Sequence, residues 1–199
     1  MKRVSGMYPL QNKEAYNVLQ YIYSTIEKVG GHPFLVAGTC LGAFRNHDFI
    51  PHDLDIDIGI LYEEFKTIYE QVKIELQSKG YKVKEVKYPF TYVKALKIDN
   101  PERTIHIDFV GWFKYQDKRY TASTNKNWCH VHDAKLFEGK LHLLPIGNHM
   151  YAVPTPVEKY LERNFGIDYK IPKQEGQYKR LSRVGNYLNI IGVKNKWKS

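Results

Sequence analysis

The sequence predicts an α/β protein, of the α+β type, in which helices flank a mixed β-sheet. Apolar residues recur at helical spacing over residues 15–29 and again over residues 65–76, which predicts two amphipathic helices. Residues 54–60 and 104–110 instead alternate strictly between apolar and polar side chains, as half-buried strands do. The middle of the chain is mostly strand, and the second helix is expected to cover one side of the sheet.

Length and cysteine content limit the class of protein. The chain has 199 residues, enough for one compact domain whose core needs no covalent cross-links. Its two cysteines, Cys40 and Cys129, allow neither a disulfide framework nor a four-cysteine zinc site. No run reaches the roughly 18 apolar residues of a membrane helix, and residues 1–10 lack the apolar segment of a signal peptide. We therefore predict a cytoplasmic protein.

The first elements in chain order are a helix, a strand and a short second helix. Gly30 and Gly31 end the first helix. The apolar run 34–37 predicts a strand that leads into a turn at Gly38 and Thr39. Residues 39–45 then form a short helix, whose amino end would direct free N–H groups at a phosphate.

The next strand carries a row of carboxylates. Leu54, Ile56, Ile58 and Ile60 lie on one face, and Asp53, Asp55, Asp57 and Gly59 on the other. The Cα atoms of Asp55 and Asp57 are expected roughly 7 Å apart on the same face, where the two charges repel unless one is protonated or a cation joins them. Oxygen ligands of this kind suit Mg²⁺ or Mn²⁺. A solvated face on an edge strand gives the same pattern, and the motif alone does not decide between the two interpretations.

A third carboxylate lies on the strand predicted at residues 104–110. Its apolar residues point inward, and His106 and Asp108 lie on the opposite face. If this strand lies beside the first acidic strand, Asp108 joins Asp55 and Asp57. The three aspartates are then the predicted catalytic and metal-binding residues.

The later part of the chain contains more strands and one helix. The helix at residues 65–76 ends at Gly80, and strands are predicted at 81–88, 91–98, 104–115 and 119–123. Asp99 and Glu102 fall in a turn cluster, so we expect them to be exposed rather than catalytic. Thr155 to Glu158 is a capping box with proline at the first helical position, and Gly166 ends that helix.

The segment Trp128 to Asp133 contains two histidines, a thiol and a carboxylate, and it invites a metal-site interpretation. His130 and His132 lie on one face of a strand, whereas Cys129 and Asp133 lie on the other. The four side chains cannot close one site without a bend. A structural role is therefore the preferred interpretation.

The C-terminal segment is strongly basic. Residues 173–199 contain seven Lys or Arg and one Glu, which is +6 of the net charge of +9. We treat residues 1–172 as the main domain and 173–199 as its basic extension. A polyanion or an anionic membrane surface is one natural partner for this extension, and a solvated tail explains the charge equally well.

The acidic residues and their surroundings resemble a known family. Gly38-Thr39, then Asp55 and Asp57, then a lone Asp108 resemble the active site of the nucleotidyltransferase superfamily. Within it, the run GTCLGAFR followed by FIPHDLDIDIGI is similar to the LicD and fukutin family of phosphotransferases, as is the closing segment NFGIDYKIP. The resemblance extends from Phe34 to Pro172 and implies a nucleotidyltransferase-like fold.

The resemblance also implies an activity. It is the transfer of a phospho-alcohol, such as phosphocholine or ribitol phosphate, from a cytidine-diphosphate (CDP) donor to a sugar hydroxyl of a cell-surface glycan, with release of CMP. Asp55, Asp57 and Asp108 would hold Mg²⁺ or Mn²⁺, and Asp108 could accept the proton of the acceptor hydroxyl. Substrate binding is expected from four other residues: Gly38, Thr39, Arg45 and Asp53. Arg45 would clamp phosphate with its guanidinium fork.

Two alternatives stay open at this point. The same three aspartates serve nucleotidyl transfer from a nucleoside triphosphate. A non-catalytic module that binds polyanions through the basic extension would also retain the fold. The sequence gives no reason to expect a specific nucleic acid partner, and it leaves the oligomeric state open.

Overall fold

The computed structural model describes residues 13–87, 93–121, 128–173 and 182–185. The helices are α1 (Lys13–Lys28), α2 (Ala37–Asn46), α3 (Tyr62–Ser78) and α4 (Val157–Phe165). The strands are β1 (Phe34–Leu35), β2 (Asp55–Leu61), β3 (Lys82–Lys87), β4 (Val93–Asp99), β5 (His106–Tyr115), β6 (Lys118–Thr121), β7 (Trp128–Asp133), β8 (His142–Ile146), β9 (His149–Val153) and β10 (Arg183–Gly185). A short 3₁₀ helix, Ala134–Phe137, follows β7.

Within these residues, eight strands form one mixed sheet. The main path runs β1-β2-β5-β6-β7-β10, and off this path β4 pairs with residues 106–110 of β5 and β3 pairs with β4. Only the β2–β5 pair is parallel among the described strand pairs. Strands β8 and β9 form a separate hairpin. The predicted fold class, a mixed sheet flanked by helices, is confirmed.

Helices α1 and α3 have the apolar stripes that the sequence predicts. The stripe of α1 includes Ala15, Leu19, Ile22 and Ile26, all fully buried. Helix α3 buries Phe65, Val72 and Leu76 and packs on strands β2 to β5. A glycine with positive φ follows each helix, Gly30 at 89° and Gly80 at 85°, a conformation that residues with a Cβ rarely adopt.

This packing orients the two acidic strands. On β2 and β5 the apolar residues Ile56, Ile58, Ile107 and Phe109 are fully buried. Phe109 packs against Phe65 of α3 in a tilted arrangement, with ring centroids 5.2 Å apart. Because side chains alternate along a strand, the carboxylates of β2 and β5 lie on the opposite side of the sheet. We call that side the carboxylate face.

Two local predictions need correction. Helix α2 begins at Ala37, so Gly38 and Thr39 belong to its first turn rather than to a separate turn before it. The predicted capping box of α4 is not formed, because Pro156 is the N-cap and no side chain caps the helix. The Thr155 hydroxyl instead accepts a hydrogen bond from the His142 N–H (2.8 Å) and donates one to the Val153 carbonyl (3.2 Å). Gly166 ends α4 as predicted, with φ of 91°.

Part of the basic extension belongs to the sheet. Strand β10, Arg183–Gly185, pairs antiparallel with β7. Ser182 is fully buried, its N–H donates to the Arg163 carbonyl (2.8 Å) and its hydroxyl donates to Asn164 Oδ1 (2.5 Å). Residues 174–181 and 186–199 lie outside the described residues, so binding of a membrane or polyanion by the extension stays a prediction.

No helix in the described residues is both long and apolar enough to cross a membrane.

Candidate active site

The first turn of α2 is tied to strand β2 at Asp57. The backbone N–H of Asp57 donates to the Thr39 hydroxyl (2.9 Å), and the N–H of Gly38 donates to Asp57 Oδ2 (3.3 Å). The Val36 N–H also donates to the Asp57 carbonyl (3.2 Å). Thr39 is fully buried, so its hydroxyl acts on the site by fixing Asp57.

A residue that is distant in the sequence, Tyr160 of α4, also holds the start of α2. Ala37 adopts a positive φ of 44°, which is rare for a residue with a side chain. Its N–H donates to the hydroxyl of Tyr160 at 2.9 Å, and Tyr160 is buried in α4. Helix α4 therefore helps to fix the backbone from which Gly38 reaches Asp57.

The structure brings the three predicted aspartates together. Strands β2 and β5 are neighbours, with Asp57 directly opposite Asp108. One carboxylate oxygen from each of Asp55, Asp57 and Asp108 lies within 4.8 Å of the other two. This is the only group among the described residues in which three or more metal-ligating side chains come that close.

Burial and mutual repulsion perturb two of these carboxyl groups. The pKa of Asp57 is raised well above its usual value, first by burial and then by the charges of Asp55, Asp53 and Asp108. The pKa of Asp55 is raised by burial and by Asp108. A bound divalent cation would relieve both effects, and an all-oxygen donor set fits Mg²⁺ or Mn²⁺. The residues present therefore fit the predicted metal.

Asp108 has different surroundings. Burial raises its pKa, but the hydrogen bond with His106 (Nε2 to Oδ1, 3.1 Å) and the ammonium of Lys97 (3.4 Å from Oδ1) outweigh that effect and lower it. His106 in turn contacts Asp99 through Nδ1 at 2.7 Å, and the pKa of His106 is raised because these two carboxylates outweigh its burial. Without a bound cation, Asp108 is thus the least basic of the three aspartates.

Three residues near the aspartates were not predicted as site residues: Lys97, Asp99 and His106. The prediction that Asp99 is an exposed turn residue was wrong, because it ends β4 and its side chain, 31% exposed, contacts His106. Glu102 is exposed as expected. The alternation of residues 104–110 had placed His106 on the same face as Asp108. That placement was the sequence signal for a role of His106 near the aspartates.

The remaining predicted substrate-binding residues, Asp53 and Arg45, lie near opposite ends of α2. The Asp53 carboxylate packs against Gly38, where an added Cβ would come within 2.4 Å of Asp53 Oδ2. Glycine is therefore needed for this close approach. Arg45 lies in the last turn of α2, seven residues beyond Gly38. That spacing puts both residues on the same face of the helix, about 10 Å apart along its axis.

The histidines of β7 have structural surroundings. His132 is fully buried, stacks on Tyr160 with ring centroids 4.6 Å apart, and contacts Asn164 Oδ1 at 3.2 Å. Burial lowers its pKa to about 3, so the ring is neutral. His130 lies on the same strand and its Nδ1 contacts the Ser182 hydroxyl at 2.5 Å. These contacts agree with the structural interpretation of the segment.

Comparison with known proteins gives the family. The LicD/FKTN/FKRP nucleotidyltransferase domain matches residues 32–155. Human "Ribitol-5-phosphate transferase FKTN" is 27% identical over 183 residues, which cover 84% of this chain and 36% of that protein. Mouse "Ribitol 5-phosphate transferase FKRP" is 29% identical over 157 residues, which cover 74% and 30%. The chain spans about a third of the length of these relatives.

Among solved structures, the antibiotic-resistance factor ANT(2'')-Ia is similar over 86% of this chain and 80% of its own, with a TM-score of 0.49 and 13% identity. The family match is independent of that likeness, since it comes from the sequence between residues 32 and 155. It includes the start of α2 and all three aspartates. The chain therefore belongs to the LicD/FKTN/FKRP family of nucleotidyltransferase domains.

Proposed function

We propose that the protein transfers a phospho-alcohol, phosphocholine or an alditol phosphate such as ribitol phosphate, from a CDP-linked donor to a sugar hydroxyl of a glycan. The observation that carries this proposal is the convergence of Asp55, Asp57 and Asp108 beside the first turn of α2, inside the segment that matches the family. The names of the relatives support the phospho-alcohol class. The CDP donor follows from the resemblance of the sequence to that family.

The aspartates are proposed to hold Mg²⁺ or Mn²⁺, which when bound would neutralise phosphate charge and polarise a phosphoryl oxygen. The chain's own residues prepare that position. Gly38 and Thr39 fix Asp57 against α2, and His106 and Lys97 keep Asp108 ionised. All of these groups are in place before substrate arrives, as electrostatic catalysis requires.

In the proposed reaction, the acceptor hydroxyl oxygen attacks the phosphorus that bears the alcohol. The bond from that phosphorus to the oxygen bridging the two phosphates breaks, and the bridging oxygen leaves with CMP. The hydroxyl proton passes to a carboxylate.

Arg45 is proposed to grip the diphosphate from the last turn of α2. Arg45→Ala should lower kcat/KM by roughly 100-fold or more, the usual size of a lost charged contact in the transition state, with a small change in stability because the residue is half-buried. Arg45→Lys should restore only part of the activity, since a point charge cannot reproduce the guanidinium fork. Steady-state kinetics together with urea unfolding measure both effects. Full activity in Arg45→Ala would remove Arg45 from the site.

The activity is tested by incubating the protein with Mg²⁺ and a panel of CDP-linked alcohols, and by measuring released CMP. Nucleoside triphosphates form the second arm, because nucleotidyl transfer at the same aspartates would release pyrophosphate. We expect CMP from at least one CDP-alcohol and none when Asp57→Asn replaces the native protein. Pyrophosphate from a triphosphate, with no CMP from any CDP-alcohol, would establish the alternative reaction.

A further inference from the structure

The strand register aligns the acidic residues with lysines on the same sheet. Asp57 on β2 lies opposite Asp108 on β5, Asp108 lies opposite Lys97 on β4, and Lys97 lies opposite Lys84 on β3. A continuous row of four residues thus crosses four neighbouring strands. Its first two members are acidic and its last two are basic.

A second row runs beside the first, and it also ends in a lysine on β3. It consists of Asp55, His106, Asp99 and Lys82, again on β2, β5, β4 and β3 in that order. The charge of the sheet surface therefore changes from negative over β2 and β5 to positive over β3. Lys97 and Lys84 end the first row, and Lys82 ends the second. We call these three residues together the lysine row.

The lysine row lies on the carboxylate face. Glu85, the neighbour of Lys84 on β3, points to the opposite side, where its carboxylate pairs with Lys73 of α3 at 2.5 Å. Alternation along β3 then directs Lys84 to the side that bears the aspartates. On β4, Lys97 is placed there directly by its 3.4 Å contact with Asp108.

The lysines differ in how their charge is compensated. Lys97 shares Asp108 with His106. Lys82 and Lys84 are exposed, and in the described part of the chain no carboxylate oxygen lies within 4.0 Å of either ammonium group. Neighbouring strands are about 4.8 Å apart, so the backbone of Lys84 is only about 10 Å from that of Asp108. A cationic surface of this kind, next to a cluster of acids, fits a ligand that is itself anionic.

We propose that Lys97 and Lys84 bind the diphosphate of the nucleotide donor beside the carboxylates, an inference that rests on the proposed function of the site. A phosphate group placed against Asp57 and Asp108 needs positive charge on its other side. Lys97 supplies that charge at the edge of the acidic cluster, and Lys84 extends it by one strand. Lysine binds phosphate as a point charge at the end of a flexible side chain. Lysines on two neighbouring strands can therefore reach the same diphosphate.

A plainer role for Lys97 is that of a counter-ion that only compensates Asp108. The two roles predict opposite results for nucleotide binding. If Lys97 only compensates Asp108, its removal strengthens cation binding and leaves nucleotide binding unchanged or improved. If Lys97 binds the diphosphate, its removal strengthens cation binding and weakens nucleotide binding.

The test is calorimetry on the full chain with three probes: Mn²⁺ alone, inorganic pyrophosphate in Mg²⁺ buffer, and CDP in Mg²⁺ buffer. Lys97→Met should weaken the binding of pyrophosphate and of CDP about tenfold or more, as loss of a hydrogen bond to a charged group does. The same variant should bind Mn²⁺ several-fold more tightly. Lys84→Met should weaken the binding of both phosphate ligands about threefold to tenfold and leave the affinity for Mn²⁺ within twofold of the wild type. Lys97→Arg should retain most of the affinity.

Lys87→Met is the matched control, because Lys87 lies on the same strand as Lys84 but pairs with Glu85 at 3.0 Å. It should leave all three affinities within twofold. Unchanged pyrophosphate and CDP binding in both Lys97→Met and Lys84→Met would overturn the inference, even if the wild type releases CMP. Lysine-dependent binding of pyrophosphate without any binding of CDP would support the lysine row and contradict the CDP donor. Weakening by Lys87→Met to the same extent would show a general charge effect and overturn the inference.

Discussion

Asp57→Asn is expected to abolish turnover, by at least about 1,000-fold, while raising the melting temperature of the metal-free protein at neutral pH. The loss of activity follows because an amide cannot supply the charge with which Asp57 would hold a divalent cation. The gain in stability follows because Asp57 is half-buried, and burial together with the charges of Asp55, Asp53 and Asp108 raises its pKa. The melting temperature should rise by roughly 2 to 4 °C for each kcal/mol recovered in a chain of this size.

The gain should depend on pH in a defined direction. Between the usual pKa of an aspartate and the raised pKa of Asp57, the folded protein binds more protons than the unfolded chain. Its free energy of unfolding therefore falls as pH rises through that window. The amide that replaces the Asp57 carboxyl group would be uncharged throughout, so the variant should be more stable than the wild type at pH 7 and should converge with it below about pH 4.

Asp117→Asn is the matched control, since the Asp117 side chain is 76% exposed. It should change neither turnover nor the pH dependence of the melting temperature. Scanning calorimetry in the presence of a chelator, together with the CMP assay, measures both quantities. Turnover within tenfold of the wild type, or a lower melting temperature for Asp57→Asn at pH 7, would contradict the proposed role of Asp57.

The second large effect is expected in metal binding. The wild-type protein should bind Mn²⁺, and the double variant Asp55→Asn, Asp57→Asn should bind it at least about 100-fold more weakly, because two of the three clustered carboxylates are lost. Titration calorimetry or the electron paramagnetic resonance signal of free Mn²⁺ reports the affinity. Equal affinity in the two proteins would mean that Asp55 and Asp57 do not hold the cation.

The clustering of the three aspartates could be predicted because its signal is local. Strict alternation on β2 and β5 assigned Asp55, Asp57 and Asp108 to one face, and the parallel pairing of these strands then placed Asp57 opposite Asp108. Helices α1 and α3 were predicted for the same reason, since an apolar stripe and a terminal glycine are visible within one segment.

The surroundings of the aspartates depend on register and on distant contacts, which a single sequence does not show. Lys97 meets Asp108 only because β4 pairs with β5 in one particular alignment. The start of α2 is fixed by Tyr160, which is 123 residues away from Ala37 in the chain. Asp99 looked like a turn residue because Asn100 and Pro101 follow it, yet the strand continues to Asp99 and orients it toward His106.

Hydrolysis in ¹⁸O-labelled water tests most directly whether the bond that breaks lies at the phosphorus bearing the alcohol. Water replaces the unidentified glycan hydroxyl, and the protein is supplied with Mg²⁺ and the CDP-alcohol that it turns over fastest. We expect one ¹⁸O atom in the released alcohol phosphate and none in CMP, as read by mass spectrometry or by the isotope shift in ³¹P magnetic resonance. Label in CMP, with unlabelled alcohol phosphate, would place the attack at the nucleotide's own phosphorus and contradict the proposed reaction.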